Sequence, residues 1–277
     1  MAELTTSTTA SRRIFLCADD FGLNEPASHS ILALVTAGVV LSTTCLVDGP
    51  VAASCAPRLR EAAANCALGL HLNFTDGDGS YRPLRLPLFI LRSYTLGAMN
   101  SSELRAHIQR QCDRFEQLFA RRPDFVDGHQ HVHQLPRIRE ALLDVVLARY
   151  GAGIAVRCTV PRRPRGLKAA LISALGGRAF AGHARDAGLP MNADFAGAYD
   201  FSTRIPYHTL MHQWLRAISD CGLVMCHPQL PPAESARTGR EAEHIFLASE
   251  SWQAMRDELN IRIVPFTAAE IRCQVRL

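Results

Sequence analysis

The segment DGHQHVHQLP, residues 127–136, sets His129, His131 and His133 at every second position. In an extended chain side chains alternate with period two, so the three imidazoles would share one face, and imidazoles on one face suit a divalent metal. Upstream, CADDFG at 17–22 ends an apolar run with two adjacent carboxylates, Asp19 and Asp20. Each repels the other and neither is cheap to desolvate. Either the pair is solvated at a strand end, with Asp20 or Asn24 capping the next helix, or a cation sits between them. His71, in GLHLNF, adds a further imidazole. Two histidines and one carboxylate make a three-ligand site with positions left open for water. One aspartate would hold the cation. The other would stay free to take a proton from a water that the cation acidifies.

Other polar residues end strand-like runs. His227, in VMCHP, is either a structural hydrogen-bonder or a general acid on the same face. Arg157 pairs with Asp19, orients it, or meets solvent. Thr43 and Thr44 satisfy a strand end or face the site. His29, His107, His183, His208, His212 and His244 fall in helical or loop patterns and carry no assigned role.

The elements that must position these groups are legible in the hydrophobic pattern. Residues 13–18, 39–47, 67–74, 124–131, 154–159, 222–228 and 261–266 read as seven strands. Helical spacing covers 26–37, 51–65, 101–121, 136–150, 207–220 and about 248–259, with one helix expected at 167–181. Residues 75–100, 160–205 and 228–240 read as insertions or loops rich in Gly, Pro or charge. A βαβα rhythm implies a parallel sheet wrapped by helices, and seven strands suit a barrel, complete or not, better than a small open sheet. In such folds the C-terminal strand ends share one face, which carries the active site. No repeat or linker divides the chain, so one domain is expected over 12–277 behind a loose tail at 1–11.

Bulk composition narrows the class. The 277 residues are 48% hydrophobic, ample for a large core. A net charge of +4, with arginines spread out and no interleaved aromatics, does not indicate nucleic acid. Nine cysteines, an odd number without a CxxC pair, sit mostly in apolar runs and read as buried thiols in a reducing compartment. No secretion signal and no membrane-length apolar run is present, so a cytoplasmic location is expected.

ADDFG, STT, GLHLNFT, DGHQHVHQLP and CHP, in this order over about residues 13 to 229, resemble the YdjC-like carbohydrate deacetylases, among them chitooligosaccharide and hopanoid-associated deacetylases. The resemblance implies a distorted or incomplete TIM-like (β/α) barrel of about seven mainly parallel strands, related to polysaccharide deacetylases. It implies Asp20, His71 and His129 as ligands of one divalent ion, Zn²⁺ or Mg²⁺, with Co²⁺ or Mn²⁺ also suited. Asp19 would be the general base, and His227 the general acid or transition-state stabiliser. His131 and His133 would line the substrate cleft or support the ligands from behind; Arg157 and Thr44, read from their strand ends and not from the resemblance, are further candidates for the same roles. The family pattern has Ser where Gly128 stands, so a hydroxyl is missing here.

The implied reaction removes an N-acetyl group from an amino sugar, an acetylated oligosaccharide or a glycolipid. The expected partner is that acetylated sugar, free or linked to lipid or phosphate; a homodimer is left open. Two rivals stand beside this reading. A dinuclear phosphoesterase or amidohydrolase on a similar barrel would need more carboxylates or a carboxylated lysine, and Lys168 is the sole lysine. An inactive carbohydrate-binding homologue would gain nothing from a spare carboxylate. The cluster Arg162, Arg163 and Arg165 reads either as a phosphate site or as a solvated basic loop.

Overall fold

The computed structural model describes residues 11–75, 85–95, 99–232 and 238–273. The expected tail lies outside them except for Ser11, and so does part of the expected 75–100 insertion. In chain order the elements begin with β1 (Arg12–Phe21), α1 (Glu25–Thr36), β2 (Ser42–Cys45), α2 (Ala52–Ala62) and β3 (Ala67–Leu72). There follow α3 (Leu86–Tyr94), α4 (Ser101–Phe119), β4 (Phe125–Gly128), α5 (Ile138–Tyr150), β5 (Ala155–Val156), α6 (Gly166–Ile172) and α7 (Arg178–Asp186). The last are β6 (Asp194–Ala196), α8 (Tyr207–Ala217), β7 (Gly222–Cys226), α9 (Gly239–Leu247), α10 (Glu250–Glu258), β8 (Ile261–Ile263) and α11 (Ala268–Arg272).

Every strand pair is parallel, in the order β5-β4-β3-β2-β1-β7-β6, with β8 beside the first residues of β1. The sheet curls until its two edges meet. Val156 bridges Met191 in parallel, and the Asn192 side chain bonds both backbone polar groups of Cys158 and the carbonyl of Asp194. The expected distorted barrel is therefore what forms.

Period-two alternation divides the core. Ile14, Leu16 and Ala18 of β1 pack outward with the helices. Phe15 and Cys17 point inward to meet Phe125, Phe195, Leu223, Met225 and Phe266. The inward series continues along each strand toward its C-terminal end, to Asp19, His71, Asp127, Arg157 and His227. The apolar plug thus forms the floor on which the polar residues stand.

Several expectations are corrected. The strand at 124–131 stops at Gly128, and residues 129–134 form a tight 3₁₀ turn with positive φ at Gln130 and His131. The three histidines therefore do not share a strand face. The helix expected at 167–181 is broken at 173–177 between α6 and α7. The irregular stretch 160–205 hides β6, an eighth strand of only three residues. Part of the 75–100 segment is helix α3, and α9 starts at Gly239, just inside the loop expected at 228–240. No helix among the described residues is long and apolar enough to cross a membrane.

Candidate metal centre and catalytic site

Asp19 and Asp20 are neighbours, and a regular strand would send them to opposite faces. Instead β1 shifts register between Ala18 and Phe21, and Asp20 adopts φ 75°. This irregularity turns both carboxylates into one cavity of about 510 Å³. Asn24, not Asp20, caps α1 by accepting from the Ala27 N–H at 2.9 Å. Asp20 is left for the site.

Asp20 Oδ1 lies 3.0 Å from His129 Nδ1 and 3.5 Å from His71 Nε2. One ligand atom from each of these three buried residues falls within 4.8 Å of the other two. Behind them, His71 Nδ1 is 2.6 Å from Asp127 Oδ1, which fixes the proton on Nδ1 and turns the Nε2 lone pair to the centre. An oxygen and two nitrogens converging at this spacing, one imidazole braced by a carboxylate, fit a divalent ion. Burial would raise the Asp20 carboxyl, but hydrogen bonds from His129 and His71 hold it well below the usual range. Burial would lower His71, but the Asp127 charge and hydrogen bond push it up to about 10. A cation entering here displaces that proton.

Arg157, fully buried, joins the two halves of the site. It donates to both oxygens of Asp19 at 2.5 and 2.6 Å and to Cys17 Sγ at 3.1 Å. Its Nη2 also lies 2.7 Å from Asp127 Oδ2, an ion pair by distance rather than an aligned hydrogen bond. Burial would raise the Asp19 carboxyl; the Arg157 charge and its hydrogen bonds reverse this and hold it well below the usual range. Thr44 Oγ1 adds a longer bond to Asp19 at 3.3 Å, while Thr43 bonds the Ala18 carbonyl and takes no part. His227 Nε2 lies 3.8 Å from Asp19 Oδ2. Burial pushes the His227 imidazole down to about 4, so it is neutral at pH 7.

His131 and His133 separate. His131 borders the cavity, edge-on to Phe195. His133 turns away to bond the Arg157 carbonyl at 3.1 Å and pack on Phe180, and burial pushes it down to about 4. This explains Gly128. A Cβ there would fall 2.8 Å from the His133 backbone nitrogen, so the tight turn after β4 has no room for a serine.

The sequence profile described as YdjC-like protein matches residues 13–258. The chain belongs to the YdjC-like family. Among the relatives of this YdjC-like chain, a carbohydrate deacetylase of Mus musculus is 29% identical over 287 residues, 91% of this chain and 88% of its own length. A chitooligosaccharide deacetylase of Escherichia fergusonii is 35% identical over 133 residues, 46% of this chain and 52% of that protein. A solved structure from Enterococcus faecalis V583, whose name assigns it to cellobiose-phosphate cleavage, shares the YdjC-like chain's fold. Its TM-score is 0.69 at 18% identity, over 94% of this chain and 99% of that one.

The YdjC-like site also holds residues that sequence reasoning missed. Arg240, in the first turn of α9, donates to Asp20 Oδ2 at 2.9 Å and lies over the Phe201 ring. Glu243, one turn on, accepts from the His227 backbone N–H and from Tyr199 Oη. A signal was available: Thr238 and Glu241 form a reciprocal capping box, whose T-x-x-E spacing announces a helix start. Lys168, weighed above as a bridging ligand, instead donates to the Tyr199 carbonyl and lies over Phe201.

Proposed function

We propose that this chain is a metal-dependent deacetylase that hydrolyses the N-acetyl group of an amino sugar, alone or within an oligosaccharide or glycolipid. The observation that carries the reading is the convergence of Asp20, His71 and His129 beside Asp19 and His227 in one cavity. The names of the mouse and Escherichia relatives support the same chemistry.

Asp20 Oδ1, His71 Nε2 and His129 Nδ1 would hold one ion, Zn²⁺ or Mg²⁺, with Co²⁺ or Mn²⁺ also suited to the donors. Once bound, it would polarise the acetyl carbonyl and acidify a water. Asp127 keeps the His71 lone pair aimed at the centre, and Arg240 pins the outer Asp20 oxygen. Asp19, ionised at neutral pH, takes the proton of the attacking water. Its grip by Arg157 keeps it a weak base, so it passes that proton on readily. His227, neutral at pH 7, brings no proton of its own. It receives the one Asp19 removed across the 3.8 Å gap and delivers it to the departing amine, because an unprotonated amide nitrogen leaves poorly. Acetate and a free amino sugar result.

The test is acetate release from a panel of acetylated amino sugars, with and without EDTA, alongside metal analysis. Asp19→Asn should keep its metal and slow turnover by roughly 100-fold or more. His71→Ala should lose the metal. Unchanged turnover in the first removes Asp19 as base; full metal content in the second removes the ligand set.

A further inference from the structure

We propose that the rim of the catalytic cavity is a docking face for an anionic lipid surface. Among the described residues, seven large apolar side chains stand well exposed, and five of them lie on just two helices. On α3 these are Leu88, Leu91 and Tyr94, a stripe at three-residue spacing. On α6 they are Leu167 and Leu171, one turn apart and 90% and 59% exposed. The same helices wall the cavity through Leu86 and Ile90 on one side and Leu171 and Ile172 on the other. The exposed apolar surface is therefore gathered at the mouth of the site rather than scattered, and gathered patches mark interaction surfaces.

The charge around the patch selects the occupant. Residues 163–172, which lead into and form α6, carry two arginines and one lysine without an Asp or Glu, and residues 85–95, which include α3, carry two arginines and no acid. Arg85, which leads into α3, and Arg163, three residues before α6, are exposed, and neither side chain has a carboxylate partner among the described residues; Lys168 and Arg240 line the cavity itself. A second copy of the chain joined by two-fold symmetry would bring this cationic face against itself, setting arginine against arginine. A bilayer with anionic headgroups accepts the leucines and attracts the arginines together. The cavity mouth would then open at the headgroup layer.

The experiment is co-sedimentation of the full chain with vesicles of phosphatidylcholine, alone or mixed with phosphatidylglycerol. Binding to the mixed vesicles should be tighter by roughly tenfold or more and should weaken with salt. Leu91→Asp combined with Leu167→Asp should abolish it, and Arg85→Glu with Arg163→Glu should weaken it roughly tenfold or more. The single change Leu167→Asp, at the most exposed position, should already weaken binding and leave thermal melting unchanged. Equal binding to both vesicle types, no binding to either, or binding that survives the leucine changes would overturn the proposal. So would a dimer in sedimentation velocity that those changes dissociate, because a second copy would then cover the face. None of these readouts depends on turnover, so the result stands apart from the deacetylase reading.

Discussion

Gly128 shows how far one residue constrains this site. Its missing side chain makes room for the backbone of His133, whose ring in turn bonds the Arg157 carbonyl just beyond β5. Gly128→Ser should destabilise the protein by about 1–3 kcal/mol through overpacking, read as a melting point lowered by several degrees. A variant that melts like the parent would show that the turn can shift without cost. The three proposed ligands were legible because each lies at or next to the C-terminal end of an apolar run: Asp20 on β1, His71 on β3, His129 just beyond β4. His131 and His133 were misplaced for a physical reason. Period two holds only while the backbone stays extended, and positive φ at Gln130 and His131 ends that where the motif is densest.

Among the elements, β6 and α9 escaped sequence reading because both are short and follow Arg-, Gly- or Pro-rich chain. Their tethers explain how such short pieces persist. The Asp194 carboxylate of β6, 1% exposed, accepts from both Nη atoms of Arg165 and from the backbone N–H groups of Arg162, Phe195 and Ser219. The arginine cluster at 162–165 is thus divided in purpose: Arg165 is structural, whereas Arg163 faces solvent. Arg165→Ala strips a buried carboxylate of the one cation paired with it among the described residues and should cost roughly 3 kcal/mol, measured by urea unfolding. Arg163→Ala should leave the same midpoint unchanged. Loss of stability in the second but not the first would reverse the two roles.

Over the whole molecule, buried groups with displaced titrations shape how stability follows pH in the metal-free protein, among them His133, His227, Glu243 and His71. Burial pushes His133 and His227 down to about 4, so between 6.5 and 4 the unfolded chain binds protons the folded chain refuses, and stability falls as pH falls. Burial pushes Glu243 up to about 8, so its contribution is present below 4.5 and lost as pH rises through 8. Despite burial, Asp127 raises His71 to about 10, so its contribution is full below 6.5 and lost as pH rises through 10. The signs combine to a maximum near pH 6.5. Chelator-treated protein, melted across pH 4 to 10, should trace that dome. A melting point still climbing above pH 7 would show that neither Glu243 nor His71 is perturbed as described. The expected buried thiols are also present: all nine cysteines are free, and all but Cys273 are buried. The seam at Asn192 has a consequence for the chain's company. With the ends of the curled sheet latched to each other, neither outermost strand is left idle to recruit a stranger's backbone, and fibril growth or domain exchange through those strands must first unfasten both the Val156 bridge and the Asn192 amide.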